Sequence, residues 1–111
     1  MPAEIVNIED VDVQMGAMKR LRGALDTQAV GLTVVDCEPG WEGPEHDHAE
    51  ADHEEVYLLI EGSASVTVGD QTVELDPGDA VRVDPEETRQ IHNGDSRSRL
   101  VLAGANSVGE V

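Results

Sequence analysis

The sequence predicts an all-β fold, a sandwich or barrel of short strands, in a single domain. Short apolar runs recur along the chain, and clusters of Gly, Pro, Asn and Asp separate them. Valine, whose branched side chain favours strands, is frequent, and no segment has the apolar periodicity of a convincing long helix. With 111 residues, the chain is long enough for one domain with one core and no more.

Residues 1–28 carry the weakest strand signals. Glu4–Asn7 is a possible edge strand. Met15–Leu25 is ambiguous, because its apolar residues have nearly helical spacing whereas Gly16 and Gly23 disfavour a helix. We expect this N-terminal part to contribute edge strands to the domain.

Residues 29–105 are expected to form the barrel itself, so that the whole chain, 1–111, is one domain. Gly69-Asp70, between two apolar runs, is typical of a tight hairpin, and Pro77-Gly78-Asp79 and Asn93-Gly94-Asp95 are typical turns. The predicted strands are Ala29–Glu38, Glu55–Glu61, Ala64–Val68, Thr72–Leu75, Ala80–Val83, Thr88–His92 and Arg99–Ala103.

The chain is strongly acidic, with 24 Asp and Glu against 7 Lys and Arg and a formal net charge of −17. A surface that binds nucleic acid or an anionic membrane needs clustered cations, so neither is expected as a partner. The acidic residues alternate with regular apolar runs, which favours a folded acidic surface over disorder. The composition resembles that of proteins from salt-accumulating halophilic archaea, and we expect concentrated salt to screen the self-repulsion.

A cytoplasmic location is expected from three features of the sequence. The single cysteine, Cys37, excludes an intramolecular disulfide and suits a reducing compartment. The N-terminus has no basic segment followed by an apolar run, so no signal peptide is visible. No apolar stretch approaches the ~20 residues that a membrane span needs.

The stretch from His46 to Gly62 carries the clearest chemical signal. His46 and His48 are two residues apart, and in a β-strand this spacing places both side chains on one face. A carboxylate from the next strand, such as Glu55, adds a third ligand of the kind that divalent transition metals accept. The candidate ions are Fe, Mn, Ni, Cu and Zn.

At these residues the chain resembles the small single-domain cupins, whose fold is a double-stranded β-helix, or jelly-roll barrel. Gly40, His46, His48, Glu55 and Gly62 fit the first cupin motif. One spacing departs from the family pattern, because six residues separate His48 from Glu55 where the family has three or four. The additional residues fall in an acidic, loop-like segment, where a longer loop costs little entropy.

The second cupin motif is less well kept. Gly78 and Asn93 match its two ends, but Arg89 stands where the motif has a histidine. His92, three residues further on, would lie on the opposite face of a regular strand. In metal-binding cupins the second-motif histidine joins two histidines and a glutamate around the ion. The resemblance therefore implies a metal site with three of its four ligands, His46, His48 and Glu55.

Arg89 leaves the occupancy of that site open. A guanidinium keeps its proton and cannot coordinate a metal. At ~5 Å from a divalent ion, with an effective dielectric constant of ~20, its repulsion would be roughly 7 kcal/mol. Either Arg89 points away, or an anionic ligand lies between the two charges, or there is no metal and Arg89 pairs with Glu55. Its role is thus either to be the partner of Glu55 or to clamp a ligand carboxylate.

Two other side chains have open or minor roles. Tyr57 is two residues beyond Glu55 and shares its face, so it either fills the barrel or contacts a ligand. His53 lies in the acidic segment and is expected to be a solvated imidazole.

Two classes of function follow. As a binding module, the barrel would hold a small anionic ligand through Arg89, Tyr57 and the two motif histidines, without turnover. As an enzyme, it would hold a divalent metal that polarises a substrate carboxylate or enolate. Dioxygenase, isomerase and decarboxylase chemistry all occur among cupins, and the sequence selects none of them. The missing second-motif histidine favours the binding module. The resemblance also implies a homodimer, because small cupins often pair through exposed sheet faces.

Overall fold

The computed structural model describes residues 3–48 and 53–106. Within these ranges the chain forms nine strands, one short α-helix and one 3-10 turn. No helix in them is long and apolar enough to cross a membrane. The 3-10 turn is Ile8–Asp10 and the helix, α1, is Arg22–Leu25. The strands are β1 (Val13–Gln14), β2 (Met18–Arg20), β3 (Val30–Cys37), β4 (His53–Glu61), β5 (Ala64–Val68), β6 (Gln71–Leu75), β7 (Ala80–Val83), β8 (Arg89–Asn93) and β9 (Ser98–Asn106).

The strands form two antiparallel sheets with one core between them. The larger sheet has the order β1-β2-β3-β9-β4-β7 and the smaller has the order β6-β5-β8. At the centre of the larger sheet, β9 pairs along most of its length with β3 on one side and with β4 on the other. This architecture confirms the predicted all-β jelly-roll barrel.

The core is aliphatic, apart from one tyrosine. Because successive side chains of a strand point to opposite faces, every second residue of the central strands faces inward. The larger sheet contributes Tyr57, Leu59 and Leu100, and the smaller sheet contributes Val66 and Ile91, all of them buried. Burial of one such side chain stabilises the fold by about 1.5–3 kcal/mol. The same inward rows continue past the core into the candidate site.

Residues 41–48 extend the smaller sheet at the outer edge of β8. The Gly43 N–H donates to the Ile91 carbonyl at 2.9 Å, and the backbones of His46 and Arg89 exchange two hydrogen bonds of 3.0 and 2.8 Å. The segment runs antiparallel to β8. The segment is therefore fixed at the open end of the barrel, and it carries the two motif histidines.

The strands predicted over residues 29–105 are all present, as β3 to β9, with ends that differ by a few residues. The predicted hairpin joins β5 to β6 with a positive φ of 61° at Gly69, the conformation that a tight turn requires.

The predicted edge strand over Glu4–Asn7 is wrong. Asn7 instead caps the 3-10 turn, because its side-chain oxygen accepts a 2.9 Å hydrogen bond from the Glu9 N–H. The ambiguous stretch Met15–Leu25 divides into β2 and α1, since a turn of positive-φ residues joins β1 to β2 where it begins. β1 and β2 lie at the edge of the larger sheet.

Candidate ligand and metal site

A cavity of about 460 Å³ opens at the end of the barrel where residues 41–48 meet the larger sheet. Its size lies within the usual range for small-molecule sites. Its lining combines three histidines, a glutamate and two arginines with apolar side chains. The polar lining residues are Arg20, Arg22, Thr33, His46, His48, His53, Glu55 and Tyr57.

The two motif histidines lie side by side on this wall, as their spacing predicts. Their rings are 4.9 Å apart in an edge-to-face arrangement. Nδ1 of His46 is 3.0 Å from the Pro44 carbonyl. A carbonyl oxygen only accepts, so in the neutral ring Nδ1 carries the hydrogen and Nε2 carries the lone pair, which is the tautomer of metal-binding histidines. Burial lowers the pKa of His48 and outweighs the opposite effect of the Glu55 carboxylate, so this ring is neutral near pH 7.

Glu55 is the centre of the polar contacts. Its Oε1 accepts a 3.2 Å hydrogen bond from the Tyr57 hydroxyl and lies 3.3 Å from Nε2 of His48. Nη1 of Arg89 is 3.6 Å from the same oxygen. The shared face of Glu55 and Tyr57 is thus confirmed. Burial, reinforced by the Glu55 charge, raises the pKa of Tyr57 well above its ordinary value.

Arg89 lies behind this carboxylate rather than in the cavity wall. Its side chain is fully buried, and Nη2 donates a 2.7 Å hydrogen bond to the Asp84 carbonyl. Nε and Nη1 have no hydrogen-bond partner within the described residues. Of the two roles that the sequence left open, the contact with Glu55 is present, whereas direct ligand contact stays a prediction that this burial does not favour.

His46, His48 and Glu55 could hold a divalent transition metal. One ligand atom from each side chain lies within 4.8 Å of the other two. Ligand atoms that are each ~2.1 Å from an ion are at most ~4 Å apart, so a shift of less than ~1 Å would close the set. Neutral imidazole and carboxylate are also the correct donor types. The donor set therefore fits such a metal, whereas the positive charge of Arg89 opposes metal binding.

His53 occupies an unexpected place. The prediction of a solvated imidazole is wrong, because β4 begins at His53 and strand alternation puts its side chain on the inner face with Glu55. Its ring is 5.2 Å from the His48 ring, and its Nε2 is buried with no hydrogen-bond partner in the described residues.

His92 lies outside the site, as the sequence predicts. β8 pairs with β5 in regular register, without a bulge that would turn this side chain inward. On the outer face its Nε2 is 2.9 Å from the Thr67 hydroxyl and its Nδ1 is 3.1 Å from the Glu42 carboxylate.

Arg20 and Arg22 line the cavity, and neither is among the site residues predicted from the sequence. Neither has a carboxylate within 4.0 Å among the described residues, whereas each of the remaining basic side chains there has one. Arg22 instead donates to the backbone carbonyls of Gln28 and Ala29, at 3.2 and 3.4 Å. The available signal was a pair of arginines next to an edge strand in a chain with few cations. The paired basic residues are Lys19, Arg82, Arg89, Arg97 and Arg99.

Comparison with known proteins relates both the sequence and the fold to one family. Residues 33–104 match the family model described as Cupin_2, cupin domain. That range contains every residue of the candidate metal set. A search of curated proteins gives no match to this chain.

Solved cupin structures share the fold at low sequence identity. A cupin protein from Bacteroides fragilis superimposes with a TM-score of 0.76 at 23% identity, over 96% of this chain and 91% of that one. KdgF from Halomonas sp. gives 0.73 at 17% identity, over 94% and 93%. A sugar phosphate isomerase from Silicibacter pomeroyi gives 0.68 at 22% identity, over 81% of this chain and 59% of that one.

Proposed function

The chain belongs to the Cupin_2 family of cupin domains, and from this premise we propose that it binds a small anionic ligand in the cavity at the open end of the barrel. One observation carries the proposal. In a chain of net charge −17, Arg20 and Arg22 are the two lysine or arginine side chains that have no carboxylate partner among the described residues, and both are at this cavity. A bound anion would neutralise the positive charges of these two side chains.

The acidic surface makes the position of these arginines selective. The net charge of −17 repels anions from most of the molecule, so two guanidinium groups that have no carboxylate partner among residues 3–48 and 53–106 form a local site of attraction for negative charge. Arg22 is also held in place by two backbone carbonyls. It therefore loses little side-chain freedom when a ligand binds. Each charge-assisted hydrogen bond from such a group contributes about 1.5–3 kcal/mol.

The inner wall would hold the rest of the ligand. We propose that Tyr57 and the imidazoles of His46 and His48 contact its polar groups. We assign Arg89 an indirect part: its buried guanidinium lies 3.6 Å from Oε1 of Glu55, behind the cavity wall, and two of its donors have no hydrogen-bond partner among the described residues.

The test is calorimetric titration at fixed ionic strength with inorganic phosphate, malonate, other small carboxylates and sugar phosphates. Neutral polyols of similar size serve as comparators. Sugar phosphates are included because one structural neighbour is named a sugar phosphate isomerase.

We expect the anions to bind and the polyols not to bind, and we expect the Arg20→Gln/Arg22→Gln variant to bind at least about tenfold more weakly. Arg97→Gln and Arg82→Gln, combined, are the matched control, since they remove the same charge from paired side chains outside the cavity. Equal weakening by both double variants, or binding of polyols alone, would contradict the proposal.

A metal-dependent enzyme is the second candidate, and the proximity of His46, His48 and Glu55 favours it. A bound divalent ion would act as a Lewis acid toward a carboxylate or enolate oxygen. The chain itself would contribute neutral imidazoles, the Glu55 carboxylate and the Tyr57 hydroxyl, while the arginines at the cavity hold the anionic end of the substrate. Dioxygenase, isomerase and decarboxylase chemistry all remain compatible with these residues.

Elemental analysis of protein purified without chelator or affinity metal tests this second candidate. One equivalent of Fe, Mn, Ni, Cu or Zn, lost in His48→Ala, would support the enzyme. Metal-free protein from cells grown with all five metals would contradict it. His92→Ala is the matched control, because this imidazole lies on the outer face of β8.

We also propose that the protein is a homodimer that pairs through the outer face of the larger sheet. Val30, Val56 and Ile60 are 51%, 40% and 43% exposed on β3 and β4. Sedimentation velocity in molar salt should give the mass of a dimer, and Val56→Lys should give monomers. A monomeric parent protein would contradict the proposal. A cytoplasmic location and a salt-rich environment are proposed from the sequence alone.

A further inference from the structure

His53 combines three properties that no structural role explains. Its Nε2 is buried, has no hydrogen-bond partner in the described residues, and belongs to a side chain that lines the cavity. An unsatisfied buried nitrogen costs about 1–3 kcal/mol. The His53 ring also packs against the His48 ring.

The sheet wall beside His53 has room for the imidazole because two paired glycines there have no side chain. Gly31 of β3 and Gly104 of β9 are direct cross-strand partners. A Cβ atom on Gly104 would lie 2.7 Å from Nε2 of His53, closer than such atoms approach in proteins. A Cβ atom on Gly31 would lie 3.4 Å from Nη2 of Arg22. The imidazole of His53 therefore lies beside Gly104 and the guanidinium of Arg22 beside Gly31, and these two glycines are neighbours in the same sheet.

We propose that His53 and Arg22 form a subsite for the anionic group of the ligand. The His53 ring turns so that Nε2, which faces Gly104 in the free protein, donates to one ligand oxygen, while the Arg22 guanidinium binds another. This inference rests on the proposed binding of an anion in the cavity and specifies where its charged group lies. A flat carboxylate is the chemical group that best suits two donors above a floor of backbone, because it presents two oxygens in one plane. The longer spacing between His48 and Glu55 is what supplies this extra histidine, which takes no part in either cupin motif.

The subsite predicts that replacement of His53 weakens ligand binding without lowering the stability of the free protein. If His53 serves the ligand, an apolar residue of similar size removes an unsatisfied nitrogen and relieves the free protein. His53→Leu should thus leave the melting temperature of the free protein unchanged or raise it, while binding of malonate weakens at least about tenfold. A side chain kept for packing alone would give the opposite result, lower stability with unchanged binding.

The experiment measures malonate binding by calorimetry and melting by circular dichroism for four proteins: the parent chain, His53→Leu, His53→Gln and His92→Leu. We expect His53→Gln, whose amide can still donate, to recover part of the lost affinity. We expect His92→Leu to bind malonate as the parent does, because His92 contacts Thr67 and Glu42 on the outer face.

Two outcomes would overturn the inference in distinguishable ways. If malonate binds the parent and His53→Leu equally while Arg20→Gln/Arg22→Gln loses it, the proposed function stands and the role of His53 is wrong. If neither malonate nor any other anion of the series binds the parent chain, the proposed function fails and this subsite fails with it. A loss in His53→Leu accompanied by a lower melting temperature, with no recovery in His53→Gln, would also overturn it.

Discussion

Glu55→Gln is the substitution whose effect can be worked out most directly from the geometry. It removes the negative charge that faces a fully buried guanidinium, Arg89, at 3.6 Å, and it keeps the size and shape of the side chain. Two donors of that guanidinium already lack hydrogen-bond partners in the described residues. After the substitution, the Arg89 charge would have no counter-ion in its buried position.

The expected loss of stability is about 3–5 kcal/mol. Two unit charges at 3.6 Å attract by roughly 5 kcal/mol at an effective dielectric constant of ~20. Removal of one member of a buried ion pair has a measured cost of ~3–5 kcal/mol, because the other charge stays buried. The glutamine oxygen can still accept from Tyr57, so this hydrogen bond adds little to the loss.

The assay is urea unfolding in molar salt, where self-repulsion of the acidic surface is screened. Glu54→Gln is the matched control: it makes the same change in net charge at an exposed neighbouring position, and we expect a change within about 0.5 kcal/mol. Arg89→Met combined with Glu55→Gln should recover at least ~2 kcal/mol relative to Glu55→Gln alone. A loss in Glu55→Gln no larger than in Glu54→Gln would refute the reasoning, as would a double variant whose losses simply add.

Three other predictions test separate parts of the molecule. The melting temperature should rise steeply between dilute and molar salt, because screening relieves a net charge of −17, and a melting temperature independent of salt would count against this electrostatic account. Gly62→Ala should destabilise the fold by about 2–4 kcal/mol in urea unfolding, because φ is 82° and the new Cβ would overlap the Arg97 carbonyl and Ser98. The control, Gly94→Ala, places its Cβ in open space and should destabilise the fold by less than ~1 kcal/mol. Tyr57 is the only tyrosine, and burial is the main cause that raises its pKa. Its contribution to stability is therefore complete below the pKa of ~10 that tyrosine has in the unfolded chain, and it is lost as the pH rises above that pKa. Absorbance at 295 nm should show ionisation only together with unfolding, and ionisation near pH 10 in protein with native circular dichroism would show this burial to be wrong.

The strands and their faces followed from the sequence. Alternation with a period of two is a local property, so it placed Glu55 and Tyr57 on one face and His92 on the opposite face without any knowledge of neighbouring strands. Turn residues marked the ends of β3 to β9, and the tight turn at Gly69 was visible as a dipeptide.

The N-terminal strand prediction failed for the converse reason. Glu4–Asn7 has the composition of a short strand, but a strand needs a partner, and the Asn7 side chain satisfies the backbone of the next turn instead. Local propensity gives no information on whether an edge is available for pairing.

The sequence by itself determined the jelly-roll fold, the faces on which Glu55, Tyr57 and His92 lie, and the three side chains that could hold a metal. Only the tertiary structure decided that Nε2 of His53 is buried with no hydrogen-bond partner among the described residues, that Arg22 lies beside Gly31, and that Arg89 lies behind the carboxylate. The physical reason is that these contacts join segments distant in the chain. Register across β3, β9 and β4, and the pairing of residues 41–48 with β8, set which distant side chains meet, and no short turn joins these strands to fix their register locally.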